Sequence, residues 1–211
     1  MSTKDSPGDR LTRLADEIRG LATAGLHYGT DPYDLDRYER LLTISAQLLA
    51  LSDPREAGEI ETAFRGALGL LTPSVAAAAA IFDSDGRALL TRRADNGRWC
   101  FPGGAAEIGE SPSETAVRET FEETGLRVKP VALIGVYDSR RVHRKARAFQ
   151  HYSLLFAAER TGGEPTVTPE VTEFAWCTEP EALALDLTKS TRPKVPNAFA
   201  WYDERGAAYF D

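Results

Sequence analysis

Glu119, Glu122 and Glu123 are the residues of this 211-residue chain whose type and spacing most directly imply chemistry. Residues three and four apart share one face of a helix, so three carboxylates converge there. Like charges gathered in this way repel, which is unfavourable unless a positive group sits among them. A hard divalent cation, Mg²⁺ foremost, bound through oxygen meets that need. An acidic run alone more often marks a solvated helix face. What precedes this one argues otherwise. The Gly-rich turn Phe101-Pro102-Gly103-Gly104 lets backbone approach a site with no side chain in the way.

The element that carries the acids is legible from its ends. Ser111 is a suitable N-cap, Pro112 fits the first helical position, and Glu114 stands three residues after the cap to complete a capping box. Gly125 supplies the expected C-terminal stop. Around this helix the pattern predicts strands. Val75–Phe82 reads as buried, Asp83-Ser84-Asp85-Gly86 as a hairpin turn, and Ala88–Arg93 as the return strand. Val128–Tyr137, interrupted near Gly135, Phe149–Ala158 and Glu173–Cys177 read as further strands, with Gly162-Gly163 in a turn. A short helix is expected over Glu179–Leu185, and a helical or irregular piece over Pro193–Tyr202. Strands with helices interleaved indicate an α/β layered domain from about residue 73 onward.

Residues 1–72 read as a small all-helical domain ahead of a domain spanning 73–211. Leu11, Leu14, Ala15, Ile18, Leu21 and Ala22 make one helical stripe. A second helix follows with Asp34 as its N-cap, and a third runs from Asp53-Pro54 to about Gly69. Tyr28, Tyr33 and Tyr38 either stack on a base across a subunit boundary or pack internally. Up to Thr72 there are 8 Lys/Arg against 12 Asp/Glu, the wrong sign for phosphate contacts with DNA. Packing on the next domain or on a second subunit is the expected role.

The whole chain carries a net charge of −7 and is 42% hydrophobic. That balance argues against stable nucleic-acid binding, though not against one nucleotide held by metal and a local basic patch. No apolar run is long enough to span a membrane, and the start does not read as a signal peptide. Cys100 and Cys177 do not make a disulfide framework. A cytoplasmic protein is expected. Cys100 has nothing beside it that marks a nucleophile.

Gly104, Glu110, Arg118-Glu119-Thr120, Glu122-Glu123 and Gly125-Leu126 fall at the spacings of the Nudix box, so this stretch resembles that of Nudix hydrolases. Thr120 departs from the bulky aliphatic residue of the pattern. The resemblance implies an α/β/α sandwich with a mixed sheet. It also implies Mg²⁺- or Mn²⁺-dependent hydrolysis of a nucleoside diphosphate linked to a second moiety, X. Carried over by motif position, Glu119, Glu122, Glu123 and the Gly104 carbonyl are implied as metal ligands, with Glu119 also a base. Arg118 and Glu110 are implied as supports, Arg118 orienting a carboxylate. GLHYGTDPYDLDRYERLLTISAQLLA is similar to the helical domain preceding some bacterial Nudix domains. Tyr137 to His143, His151-Tyr152 and Gly162-Gly163-Glu164 resemble the same subfamily. Its members act as CDP-choline pyrophosphatases or hydrolases of X-linked nucleoside diphosphates, and a homodimer is implied.

Many Nudix enzymes use one more acid outside the box, and Glu170 and Glu173 are the candidates here. Arg140, Arg141, His143 and Arg144 belong to a dense basic run suited to phosphate or substrate, because Arg forks match phosphate oxygens. Phe101 is a further candidate substrate contact. The expected reaction releases a nucleoside monophosphate and phosphorylated X. An ADP-ribose or nucleotide-sugar pyrophosphatase is the alternative enzyme, and a nucleotide sensor that does not cleave is the alternative of another class.

Overall fold

The computed structural model describes residues 7–66, 72–107, 109–142 and 150–211. The chain parts into two units, with the residues up to Pro73 in the first and Ser74–Val142 with His151–Asp211 in the second. The first is a helical array of α1 (Pro7–Tyr28), α2 (Pro32–Ala50) and α3 (Ala57–Arg65). Its core joins Ala15 and Ala22 of α1 to Leu42, Ala46 and Leu49 of α2 and to Ile60 and Phe64 of α3. Small side chains on α1 allow α2 to come close, and the Ser45 hydroxyl donates to the Ala15 carbonyl at 2.6 Å.

Three expectations for this unit are corrected. Leu14 and Leu21 are 53% and 64% exposed, so the apolar stripe of α1 is divided between a buried and a solvent-facing side. The cap of α2 is Asp31, whose side chain accepts from the Tyr33 and Asp34 N–H groups; Pro32 then starts the helix. Helix α3 begins later than predicted because Asp53 is engaged by the Arg55 guanidinium, and Glu56 serves as the cap. Its predicted end at Gly69 lies outside the described residues. Tyr38 packs at Gly25, where a Cβ would stand 2.4 Å from its ring, whereas Tyr28 and Tyr33 are exposed.

The second unit contains β1 (Ser74–Ile81), β2 (Ala88–Arg93), β3 (Trp99–Cys100), β4 (Gly103–Ala105), α4 (Pro112–Thr124) and β5 (Arg127–Asp138). There follow α5 (Ser139–Val142), β6 (His151–Gly162), β7 (Val171–Cys177), α6 (Glu179–Ala184), α7 (Lys194–Glu204) and β8 (Tyr209–Phe210). A mixed five-stranded sheet runs β4-β1-β6-β5-β8, with β1 parallel to β6, and a three-stranded sheet runs β3-β2-β7. Strand periodicity sends alternate residues of β1 to opposite layers. Ala79 and Ile81 pack with Leu126, Val128 and Val117 on the α4 side. Ala78 and Ala80 pack with Val195, Ala198 and Phe199 of α7 on the other. The result is an α/β/α Nudix-like sandwich.

The predicted β1–β2 hairpin is not formed as such. The Asp83–Gly86 turn is present, with Gly86 at φ 75°, but only Phe82 and Ala88 bridge. Beyond that bridge β2 leaves to pair with β3 and β7. Asp83 uses its carboxylate on the Asp85 and Arg87 N–H groups, which fixes the turn locally without fixing the partner of the next strand. Strand β8 had no sequence signal.

Candidate active site

The Ser111 cap fixes the phase of α4. Its hydroxyl accepts from the Glu114 N–H, and the Glu114 carboxylate accepts from the Ser111 N–H at 2.8 Å. Gly125, at φ 72°, ends the helix in the left-handed conformation that glycine adopts without strain. Between these ends Glu119 and Glu123 meet the β4 edge and Glu122 meets Arg118, in graded burial. The Glu123 residue is 5% exposed, the Glu119 side chain 14% and that of Glu122 56%.

Arg118 ties the acids together. Its Nε donates to Glu110 Oε1 at 2.7 Å, and Nη2 donates to Glu110 Oε2 and to the Ala105 carbonyl. Nη1 donates to Glu119 Oε1 and Glu122 Oε2, each at 2.9 Å. These bonds to Arg118, with the Glu107 N–H and the Thr115 hydroxyl, hold the Glu110 carboxyl down at about 2. Glu110 is therefore a permanent anion that anchors the guanidinium.

The deeper acids behave oppositely. Burial pushes Glu119 above the usual carboxylate range; the Arg118 hydrogen bond and charge oppose this, and the charges of Glu122 and Glu170 reinforce it. Burial pushes Glu123 up to about 7, against the Gly103 N–H that donates to it at 2.9 Å. Each carboxylate is costly in its charged form where it stands.

The donor set fits a hard divalent cation. It is made of oxygen, it carries excess negative charge, and it includes a cradle at Gly104, where any Cβ would stand 2.5 Å from the Glu119 carboxylate. Among the described residues no three His, Cys, Asp or Glu side chains are gathered tightly enough to hold a metal as they stand. Arg118 supplies the local positive charge by bridging Glu119 and Glu122.

The structure separates the remaining predicted residues. The charge of Glu170, in the turn before β7, bears on both Glu119 and Glu123. Glu173 instead pairs with Arg92 at 3.1 Å. Arg140 is turned back to Asp138, whereas Arg141 is exposed and lines a cavity at the end of β5. Phe101, expected at the substrate, is 3% exposed and belongs to the core between the sheet and α7. It follows Cys100, the last residue of β3, and its ring is buried in that core. His143 and Arg144 lie outside the described residues.

Two contributors had no sequence signal. Arg93 at the end of β2 holds Asp95 with two hydrogen bonds, and its charge favours ionised Glu123. The Ala105 carbonyl receives Arg118. Both depend on which strand ends meet α4.

Comparison with known proteins agrees with this geometry. Residues 72–198 match the family model described as NUDIX domain, and residues 9–64 match one described as UDP-X-like, N-terminal oligomerisation domain. A Bacillus subtilis (strain 168) protein provisionally named ADP-ribose pyrophosphatase YjhB is 31% identical over 88% of this chain and 88% of its own. The ADP-ribose pyrophosphatase of Methanocaldococcus jannaschii is 38% identical over 40% of this chain and 50% of its own. The crystal structure of a UDP-X diphosphatase shares the fold, with a TM-score of 0.61 at 22% identity, covering 96% of this chain and 98% of that one.

Proposed function

The chain belongs to the NUDIX family of hydrolases, and from that premise we propose that it cleaves the diphosphate of an X-linked nucleoside diphosphate, the class that includes CDP-choline. The products are a nucleoside monophosphate and phosphorylated X. Supporting this reading above all is the convergence of Glu119 and Glu123, both raised in pKa by burial, on the Gly103–Gly104 turn. Such an arrangement is unfavourable by itself, and a hard cation relieves it.

Nudix hydrolases use divalent metal ions. In this proposal Glu119, Glu122, Glu123 and the Gly104 carbonyl hold Mg²⁺ or Mn²⁺. Bound there, the ion supplies charge neutralisation of the diphosphate and acidification of water. Glu119 accepts the proton of the attacking water, a role that its place against the bare Gly104 backbone suits. Arg118, anchored by Glu110, sets the direction of Glu119 and Glu122. Glu170 is the favoured acid outside the box.

An ADP-ribose or nucleotide-sugar pyrophosphatase is the second enzymatic reading, favoured by the two relatives named above. A sensor that binds without cleaving is disfavoured because every acid of the box is present. The deciding experiment is metal-dependent release of monophosphate from CDP-choline, ADP-ribose, nucleotide sugars and dinucleotides. Release from one class identifies X. No release from any of them overturns the hydrolase reading.

We further propose that residues 1–72 form a dimerising helical domain ahead of a catalytic domain at 73–211. Leu11, Leu14, Ile18 and Leu21 alternate by three and four along α1, the spacing of a coiled-coil seam that Tyr28 continues one heptad after Leu21. Leu14, Leu21 and Tyr28 stand exposed on it. No helix among the described residues is long and apolar enough to cross a membrane. Two buried free thiols, Cys100 and Cys177, are in keeping with a reducing, cytoplasmic setting.

A further inference from the structure

A cavity of about 590 Å³ opens at the end of β5, with Tyr137 and Tyr209 among its walls and Arg141, Lys189, Arg192 and Asp211 as its charged groups. That volume lies within the usual span of small-molecule sites, roughly 300–1,000 Å³. Arg87, Arg92, Arg93, Arg98, Arg118, Arg140 and Arg160 are each paired with a carboxylate. Among the described residues, neither Arg141, Lys189 nor Arg192 is in an ion pair. Arg192 donates only to the carbonyls of Leu183 and Leu185. Both oxygens of Asp211 are occupied, one by the Asp138 N–H and the other by the Tyr209 hydroxyl. Arg141, Lys189 and Arg192 therefore face one cavity against the single carboxylate of Asp211, a net positive rim in a protein of net charge −7.

The sheet register sets the distance of this cavity from the acids of α4, which meet the β4 edge from the opposite layer. Tyr137 packs on the α7 side of the sheet and Glu119 belongs to the α4 side, so a substrate that reaches both passes over the strand ends. Tyr137, Ser153, Ala76 and Ala105 form one row across β5, β6, β1 and β4. Three strand spacings separate Tyr137 from Ala105, or about 14 Å. Ala105 is the residue whose carbonyl receives Arg118, and Gly104 precedes it. A diphosphate with one sugar ring attached covers a span of that order. Aromatic walls suit the ring, and a cationic rim suits an anion on it.

We propose that this cavity is the subsite for X, and that it selects an X that carries an anionic group, a carboxylate or a phosphate on a sugar ring. The inference rests on the hydrolase reading and sharpens it, ranking an acidic X above the cationic choline. Arg141, Lys189 and Arg192 bind the anion. Tyr209 flanks the ring.

UDP-glucuronate and UDP-glucose differ in one carboxylate and test this with the full-length protein and Mg²⁺. The expected result is a kcat/KM at least about tenfold higher for the acidic substrate, the size of one charge-assisted hydrogen bond. The preference shrinks toward one in Lys189→Ala and inverts in Lys189→Glu. Lys189 makes no hydrogen bond or ion pair among the described residues, so the fold does not rest on it. Equal kcat/KM for the two substrates in the wild type overturns the proposal. Should neither be cleaved, the hydrolase reading fails for this class, and the cavity is then judged by calorimetry without metal. Glucuronate 1-phosphate, glucose 1,6-bisphosphate and glucose 1-phosphate are the ligands. Tighter binding of the first or second than of the third, lost in Lys189→Ala, supports a carboxylate or a phosphate site respectively. Equal affinity for all three overturns it.

Discussion

Gly104 and Glu119 share one space: a Cβ on the glycine would stand 2.5 Å from the carboxylate of the glutamate. The bare backbone of β4 is thus part of the site, because it lets the acid lie flat against the strand edge. Gly104→Ala therefore displaces Glu119 while β4 keeps its pairing with Ala77. The expected loss in kcat is about 10²-fold, the scale of a displacement of about 1 Å at a reacting centre. Steady-state kinetics beside an unchanged circular dichroism spectrum checks it, and activity within twofold of wild type contradicts it.

The two acids outside the box should separate cleanly. Glu170 acts electrostatically on Glu119 and Glu123, while Glu173 is occupied by Arg92. Glu170→Gln is expected to lower kcat by about 10²-fold, a typical contribution of a group assisting proton transfer. Glu173→Gln should stay within about threefold, since an exposed ion pair adds little. The reverse ranking would move the role to Glu173.

Lys194 predicts a pH dependence of stability. It is 5% exposed, donates to Ser153 Oγ at 2.6 Å and lies over the Tyr137 ring at 5.5 Å. Burial holds its amine down at about 8; the Cys100 thiol is the titratable group that acts on it, in the opposite sense. Between pH 8 and 10.5 the unfolded chain binds more protons at this residue than the native one, so its contribution to stability rises with pH there. Below pH 8 the native state carries the full penalty, about 3 kcal/mol. Lys194→Met should be more stable at pH 7.5 by about 2 kcal/mol, after loss of about 1 kcal/mol for the Ser153 hydrogen bond. By pH 10.5 the penalty is nearly gone and the lost hydrogen bond remains, so the variant should be the less stable of the two by about 0.5 kcal/mol. Cys100, whose thiol is pushed up by burial, adds a slope of opposite sign, which the comparison of the two proteins removes. Urea unfolding at both pH values is the measurement, and a difference independent of pH contradicts the assignment.

The exposed seam of α1 gives a prediction about assembly. Leu21 is 64% exposed in the first unit, so Leu21→Glu leaves the helical core of Ala15, Ala22, Leu42 and Phe64 intact. It is expected to convert a dimer to a monomer, because a charge in an apolar seam must be desolvated. Light scattering coupled to size exclusion reads the mass. A dimer of unchanged stability removes α1 from the interface.

The sequence by itself determined the parts whose physics is local. The Ser111 cap, the Glu114 box and Gly125 set the ends of α4, and those ends set the face on which Glu119, Glu122 and Glu123 fall. Apolar runs bounded by turn residues marked most strands for the same reason. What tertiary structure decided was every matter of which neighbour comes from far along the chain. The Asp83–Gly86 turn forms as its residues dictate, yet β2 pairs with β7, because the choice of partner is made by burial on both faces. Glu170 and Glu173 are alike as sequence, and only Arg92 across the sheet removes one of them. Phe101 follows the same logic, its ring drawn into the core by Phe199 and Tyr137. The three cations around the cavity come from α5 and from the loop before α7, about fifty residues apart, so no window of sequence could have shown them together.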